Sequence, residues 1–68
     1  MSERLLEKIH ELRRVYRQIG QQLTAANERG DHALASRLLA KQEDLLDEIM
    51  ALEYRYGELG GDTSALGY

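Results

Sequence analysis

The stretch LTAANERGDHALASRLL, residues 23–39, decides the fold, because a helical pattern enters it, is interrupted and then resumes. The interruption is Gly30 followed by Asp31. Glycine readily adopts the left-handed conformation that ends many helices, and aspartate is a favoured N-cap of a new helix. The pair therefore predicts that one helix stops and a second helix starts within two residues.

On both sides of this turn the apolar residues follow heptad spacing, with alternating steps of three and four residues. Such spacing predicts two helices, each with one apolar seam. The second seam has one polar member, Gln42. The seam positions are Leu5, Ile9, Leu12, Tyr16, Ile19, Leu23 and Ala26 before the turn, and Ala35, Leu38, Gln42, Leu45, Ile49, Leu52 and Tyr56 after it.

We therefore predict an all-α fold, an antiparallel two-helix hairpin over residues 1–56, with helix 1 at about 3–29, the turn at 30–31 and helix 2 at about 32–56. The alternative is one continuous helix, which would carry Gly30 internally at a cost of about 1 kcal/mol and forgo both caps. We expect Gly57 to end helix 2. Residues 57–68 contain four glycines without helical periodicity, so we expect a flexible C-terminal tail.

The size of the chain favours a partner. With 68 residues it is one domain at most, and a domain of this size buries a small fraction of its surface. Short chains usually gain stability from disulfides, metals or association, and the absence of cysteine excludes disulfides and thiolate metal sites. Association with another chain is therefore the expected source of additional buried surface.

Beside the seam, the hairpin leaves an apolar flank that we call the apolar ridge, formed by Leu6, Leu39, Leu46 and Met50. Covering each such side chain contributes roughly 1.5–3 kcal/mol. We therefore predict a homodimer, in which two hairpins form a four-helix bundle through this ridge and through Gly20, whose missing side chain would let another backbone approach. The competing hypothesis is that a different protein covers the ridge.

Gln42 admits two interpretations. It is either a tolerated polar residue near the surface of a small bundle, or a device that fixes register and oligomeric state, as single polar core residues can. Replacement by leucine is expected to stabilise the fold in both cases. A change of oligomeric state is expected only in the second.

The charge distribution argues against nucleic acid as the main partner. The formal net charge is −3, whereas nucleic-acid-binding proteins are normally basic over their contact face. The best nucleic-acid candidate is RRVYR, residues 13–17, which supplies Arg13, Arg14 and Arg17. In an antiparallel hairpin these arginines lie at the height of acidic residues of helix 2, and we expect charge pairing there with Asp44, Asp47 and Glu48.

No set of residues predicts catalysis or a cofactor. Glu7 and His10 have the Glu-x-x-His spacing of di-iron bundles, but they lie beside the outward face and helix 2 has no matching pair. Serines lack His and acid partners at plausible spacing. We therefore expect no enzyme activity, no metal and no cofactor. No apolar run is long enough for a signal peptide or a membrane span, and we expect a cytoplasmic protein.

A candidate contact surface for a partner protein lies near the end of helix 2, in LEYRYGEL at residues 52–59. Tyrosine and arginine are enriched at interface hot spots. The alternative is that the apolar tail folds over this end of the bundle. The predicted partner-binding residues are Asp44, Asp47, Tyr54, Arg55 and Leu59.

Two stretches resemble known small hairpins. LLAKQEDLLDEIMAL is similar to the second helix of YdcH-like bacterial helical hairpins, without the alternating lysines of that family. The segments AANERGDHALASRL and DEIMAL together resemble the UvrB/UvrC interaction hairpin, without its Phe-Glu-x-Ala-Ala run. Neither family is assigned. Both resemblances imply an antiparallel hairpin that binds other proteins.

The sequence thus predicts a non-enzymatic protein–protein interaction module. It would be a small adaptor, or an inhibitor or anti-activator, that docks on another protein and regulates it. One alternative is a structural helical-bundle spacer in a larger assembly. The other is nucleic-acid association through Arg13, Arg14 and Arg17.

Overall fold

The computed structural model describes residues 2–61, and these form two long helices joined by a tight turn. Helix α1 spans Ser2–Glu28 and helix α2 spans His32–Glu58. The helices pack side by side along their length, in a rod with extents of 45 × 17 × 16 Å. The all-α helical hairpin predicted from the sequence is confirmed, and the described residues contain no strand.

The turn between the helices is built by Gly30 and Asp31. Gly30 has a φ of 73°, the left-handed conformation that ends a helix. Its N–H donates to the carbonyl of Asn27 at 3.1 Å, and the N–H of Asp31 donates to the carbonyl of Ala26 at 2.9 Å. These two bonds form a Schellman motif, which satisfies carbonyls that the end of α1 would otherwise leave unpaired.

Asp31 also starts the second helix. Its side chain accepts a hydrogen bond from the N–H of Leu34 at 3.2 Å, the N-cap contact predicted from the sequence. The backbone N–H of Asp31 therefore caps the end of α1, while its carboxylate caps the start of α2. Because one residue serves both helices, no additional residues are needed in the loop.

The end of α2 differs from the sequence prediction. The helix continues through Gly57 to Glu58, and Gly60, with a φ of 80°, takes the left-handed position. A second Schellman motif forms here, in which the N–H of Gly60 donates to Gly57 and the N–H of Gly61 donates to Tyr56. The expectation that Gly57 ends the helix was wrong. Residues 57–61 belong to the helix end and its cap, and positions 62–68 of the predicted tail lie outside the described residues.

Packing explains why the later glycines end α2. Gly61 lies so close to the ring of Tyr56 that a Cβ at this position would overlap the ring carbons. In the described part of the chain, no side chain lies within 4 Å of the Cβ position at Gly57, which sits inside the helix at a cost of about 1 kcal/mol relative to alanine. The tight contact between Tyr56 and Gly61 fixes the cap, whereas Gly57 makes no comparable contact with the other residues that the structure describes.

The core is the heptad seam. None of its fourteen positions is exposed, and Ile9 is completely buried. Tyr56 packs with Ile9 at the open end, where Leu5 and Leu52 complete the cluster. At the other end Ala26 and Ala35 are both buried, and their small side chains let the helices converge on the turn. The buried members are Ile9, Leu12, Ile19, Ala26, Ala35, Ile49 and Tyr56.

The double role of Asp31 predicts a specific loss of stability. We expect Asp31→Ala to lower the free energy of unfolding by about 1 kcal/mol, since it removes the carboxylate that accepts the Leu34 N–H. Asp31→Asn keeps an acceptor oxygen and should cost only a few tenths of that amount. The measurement is urea unfolding at one fixed protein concentration.

The control is His32→Ala, which changes the exposed neighbour and should stay within about 0.5 kcal/mol of the wild type. Equal losses for Asp31→Ala and Asp31→Asn would contradict the capping role.

Candidate interaction surface

The apolar ridge is carried mainly by α2. Leu39, Leu46 and Met50 have exposed fractions of 48%, 42% and 58%, although all three are large apolar side chains. Their spacing of seven and four residues places them on one side of the helix, next to the seam. Within residues 2–61 the hairpin therefore presents a line of exposed apolar side chains.

Leu6 contributes less to this surface than the sequence suggested. It is half-buried and packs against the cluster of Ile9 and Tyr56 at the open end of the hairpin. Leu6 thus joins the core to the ridge.

An ion pair links the two helices, and its acidic member, Glu53, lies three residues after Met50. The Nη2 of Arg13 donates to the Oε2 of Glu53 at 2.8 Å, and these side chains are only 21% and 13% exposed. The sequence predicted that Arg13 pairs near Asp44, Asp47 and Glu48, which lie five or more residues earlier in α2. The structure places Glu53 against it, because a long arginine side chain reaches along the partner helix.

Gly20 has a role within one chain. A Cβ at this position would lie 3.0 Å from the Nε2 of Gln42, so the glycine leaves the space that the glutamine amide occupies. From there Gln42 donates a hydrogen bond to the backbone carbonyl of Tyr16 at 3.3 Å. The sequence offered no partner for Gln42, and this contact supplies one across the helix interface.

The predicted partner-binding residues are all exposed. Asp44, Asp47 and Tyr54 are spaced by three and seven residues on α2, which puts them on one helix face, and Tyr54 is 73% exposed. Arg55 is the basic residue of the last turn. Leu59, 63% exposed, caps the helix by donating its N–H to the carbonyl of Arg55. The face is therefore acidic along α2, with aromatic and apolar groups near its end.

The three arginines proposed to bind nucleic acid differ in their exposure. Arg13 is half-buried in its pair with Glu53, whereas Arg14 and Arg17 are exposed. Two of the three arginines of this motif are therefore exposed, on a chain with net negative charge. The structure thus provides less basic surface than the sequence motif suggested.

The candidate metal residues Glu7 and His10 are both exposed on α1. Within residues 2–61, no three His, Cys, Asp or Glu side chains gather as a possible metal-binding group. Neither of the two helices described carries a stretch long and apolar enough to cross a membrane.

Comparison of the chain with protein-family models, with curated protein sequences and with solved structures finds no match in any of the three.

The contact between Gly20 and Gln42 predicts energetic coupling. In the wild type we expect Gly20→Ala to change stability little, because a gain of about 1 kcal/mol in helix propensity is offset by loss of a hydrogen bond worth about 1 kcal/mol. In a Gln42→Ala background the same substitution should stabilise by about 1 kcal/mol. Urea unfolding of the four chains measures this coupling.

Gln22→Ala replaces an exposed glutamine and serves as the control background, in which Gly20→Ala should behave as in the wild type. The same effect of Gly20→Ala in all three backgrounds would mean that Gln42 does not depend on the space at position 20.

Proposed function

We propose that this chain is a non-enzymatic protein-interaction module. Two copies associate through the apolar ridge into a four-helix bundle, and the outer face of α2 docks on another protein and regulates it. The observation that carries the proposal is the exposure of Leu39, Leu46 and Met50 in one line on a hairpin whose seam is already filled. Apolar patches of this kind mark association surfaces.

A second copy is a suitable partner because it would bury the exposed apolar side chains of the ridge in both chains. A fully buried leucine or methionine contributes about 1.5–3 kcal/mol, so these half-exposed side chains each retain about half of that. A symmetric dimer uses the ridge twice, which doubles the gain for one loss of translational and rotational freedom. We therefore expect a dimer with a Kd of about 10 µM or weaker, which sets the concentrations for the test.

The regulatory role rests on the outer face of α2. Asp44 and Asp47 give this face negative charge, and exposed Tyr54 adds the kind of aromatic group that anchors interfaces. A partner with a basic surface next to an apolar pocket would fit this combination. An adaptor or inhibitor of this type needs a rigid helical surface and no catalytic site.

Sedimentation equilibrium between about 5 and 500 µM tests self-association. The expected mass rises from 7.8 kDa towards twice that value. Leu46→Gln should remain at the monomer mass and keep its helical circular dichroism, whereas Ala51→Gln, on the exposed outer face of α2, should dimerise like the wild type. A wild-type mass that stays at 7.8 kDa throughout would contradict the dimer.

The outer face is tested separately by affinity capture from the source cells. We expect Tyr54→Ala and the double variant Asp44→Lys/Asp47→Lys to lose a protein that the wild type captures. Arg37→Ala, an exposed change in the first half of α2, should retain it. Equal capture by all variants would contradict a role for this face.

A further inference from the structure

We propose that the ridge is covered by α2 of a second copy, antiparallel to the first and in one defined register. In this register Leu39 faces the second copy's Gly57, Leu46 faces its Met50, and Glu43 faces its Glu53. The proposal rests on the dimer proposed above and specifies how it is built.

The ridge belongs to a second heptad seam on α2. The steps between its members alternate four, three, four, three and four residues, parallel to the seam that holds the hairpin together. Every member is exposed or half-buried in the single chain. A helix with two such seams packs on two neighbours, as in a helical bundle. The members are Leu39, Glu43, Leu46, Met50, Glu53 and Gly57.

Gly57 is the least expected member and the most informative one. It lies inside α2, it does not end the helix, and no side chain among residues 2–61 comes within 4 Å of where its Cβ would be. Among the described residues it therefore carries the cost of a glycine inside a helix without a packing contact in return. In the dimer, the missing side chain makes a hole of the size that a facing leucine fills, and Leu39 at the opposite end of the seam is the matching knob.

Apolar pairing selects the register among those that heptads allow. A shift by one heptad in one direction places Leu46 opposite the carboxylate of Glu43, and a shift in the other direction places Met50 opposite Glu53. In the proposed register Leu46 and Met50 face each other twice at the centre. Because the two helices are related by a two-fold axis, each contact occurs in duplicate.

The remaining layer brings two carboxylates together, Glu43 of one copy and Glu53 of the other. Arg13 lies in this layer, hydrogen-bonded to Glu53 at 2.8 Å. A guanidinium has five N–H donors in a planar fork, so it can bind two carboxylates at once. The ion pair within each hairpin thus places a positive group beside the second copy's Glu43, which reduces the repulsion between the two carboxylates.

The decisive experiment exchanges the knob and the hole. Sedimentation equilibrium gives the dimer Kd of Leu39→Ala, of Gly57→Leu and of the double variant. We expect each single change to weaken the dimer at least tenfold and the double variant to return to within about threefold of the wild type. Circular dichroism checks that every variant stays helical. Leu39→Ala combined with Ala51→Leu, on the exposed outer face, is the control and should show no rescue.

Disulfide trapping provides an independent readout, because the natural chain has no cysteine. Equimolar Leu39→Cys and Gly57→Cys chains should oxidise to the mixed dimer, whereas Leu39→Cys with Met50→Cys, which face each other in the shifted register, should not. The register is overturned, and the dimer is retained, if the wild type dimerises but the Leu39→Ala/Gly57→Leu variant shows no rescue. The same holds if only Leu39→Cys with Met50→Cys is trapped. A wild type that stays monomeric overturns the proposed dimer itself.

Discussion

The register of the hairpin depends on the position of its turn, where Asp31 makes hydrogen bonds to both helices. The N–H of Asp31 donates to the carbonyl of Ala26 at the end of α1, and its carboxylate accepts from the N–H of Leu34 at the start of α2. Gly30 makes this possible because it takes the left-handed conformation without strain. Since the turn fixes where the chain reverses, it also fixes which positions of the two seams meet. Every contact between the helices, from Ala35 beside the turn to Tyr56 at the open end, follows from that choice.

Two helices have more apolar sequence than one interface between them can bury. The seam buries most of the large apolar side chains. Leu6, beside the seam, also packs against the core cluster at the open end. Leu39, Leu46 and Met50 remain outside it. The ion pair of Arg13 and Glu53 and the contact of Gln42 with Tyr16 lie on the same side of the hairpin. This side therefore combines polar contacts within the chain with exposed apolar side chains, and this combination is the basis of the proposed interaction role.

Much of the fold could be predicted from the sequence because heptad spacing is a local signal. The seam, the turn and both cap residues at the turn follow from residue types at fixed intervals. The end of α2 could not be predicted in this way, since Gly57 and Gly60 are equally able to end a helix. The choice was decided by the packing of Gly61 on Tyr56.

The side-chain partners at the candidate surface were harder to predict. Arg13 has a long flexible side chain, so its height on α1 did not identify Glu53 as its partner. The sequence could not show why position 20 is a glycine, because the reason is the Gln42 side chain that packs against it from the other helix. The exposure of Leu39, Leu46 and Met50, by contrast, was predicted, because it depends only on their angular distance from the seam.

The reversal of the chain at Gly30 and Asp31 is tested most directly by a distance between the two free helix ends. Spin labels on cysteines introduced at the exposed positions Glu3 and Glu58, in chains diluted with unlabelled protein, report the distance within one chain by pulsed electron paramagnetic resonance. Packed neighbouring helices predict a separation of roughly 10–25 Å. A separation of about 80 Å, the length of one continuous helix between these positions, would contradict the hairpin and everything built on it.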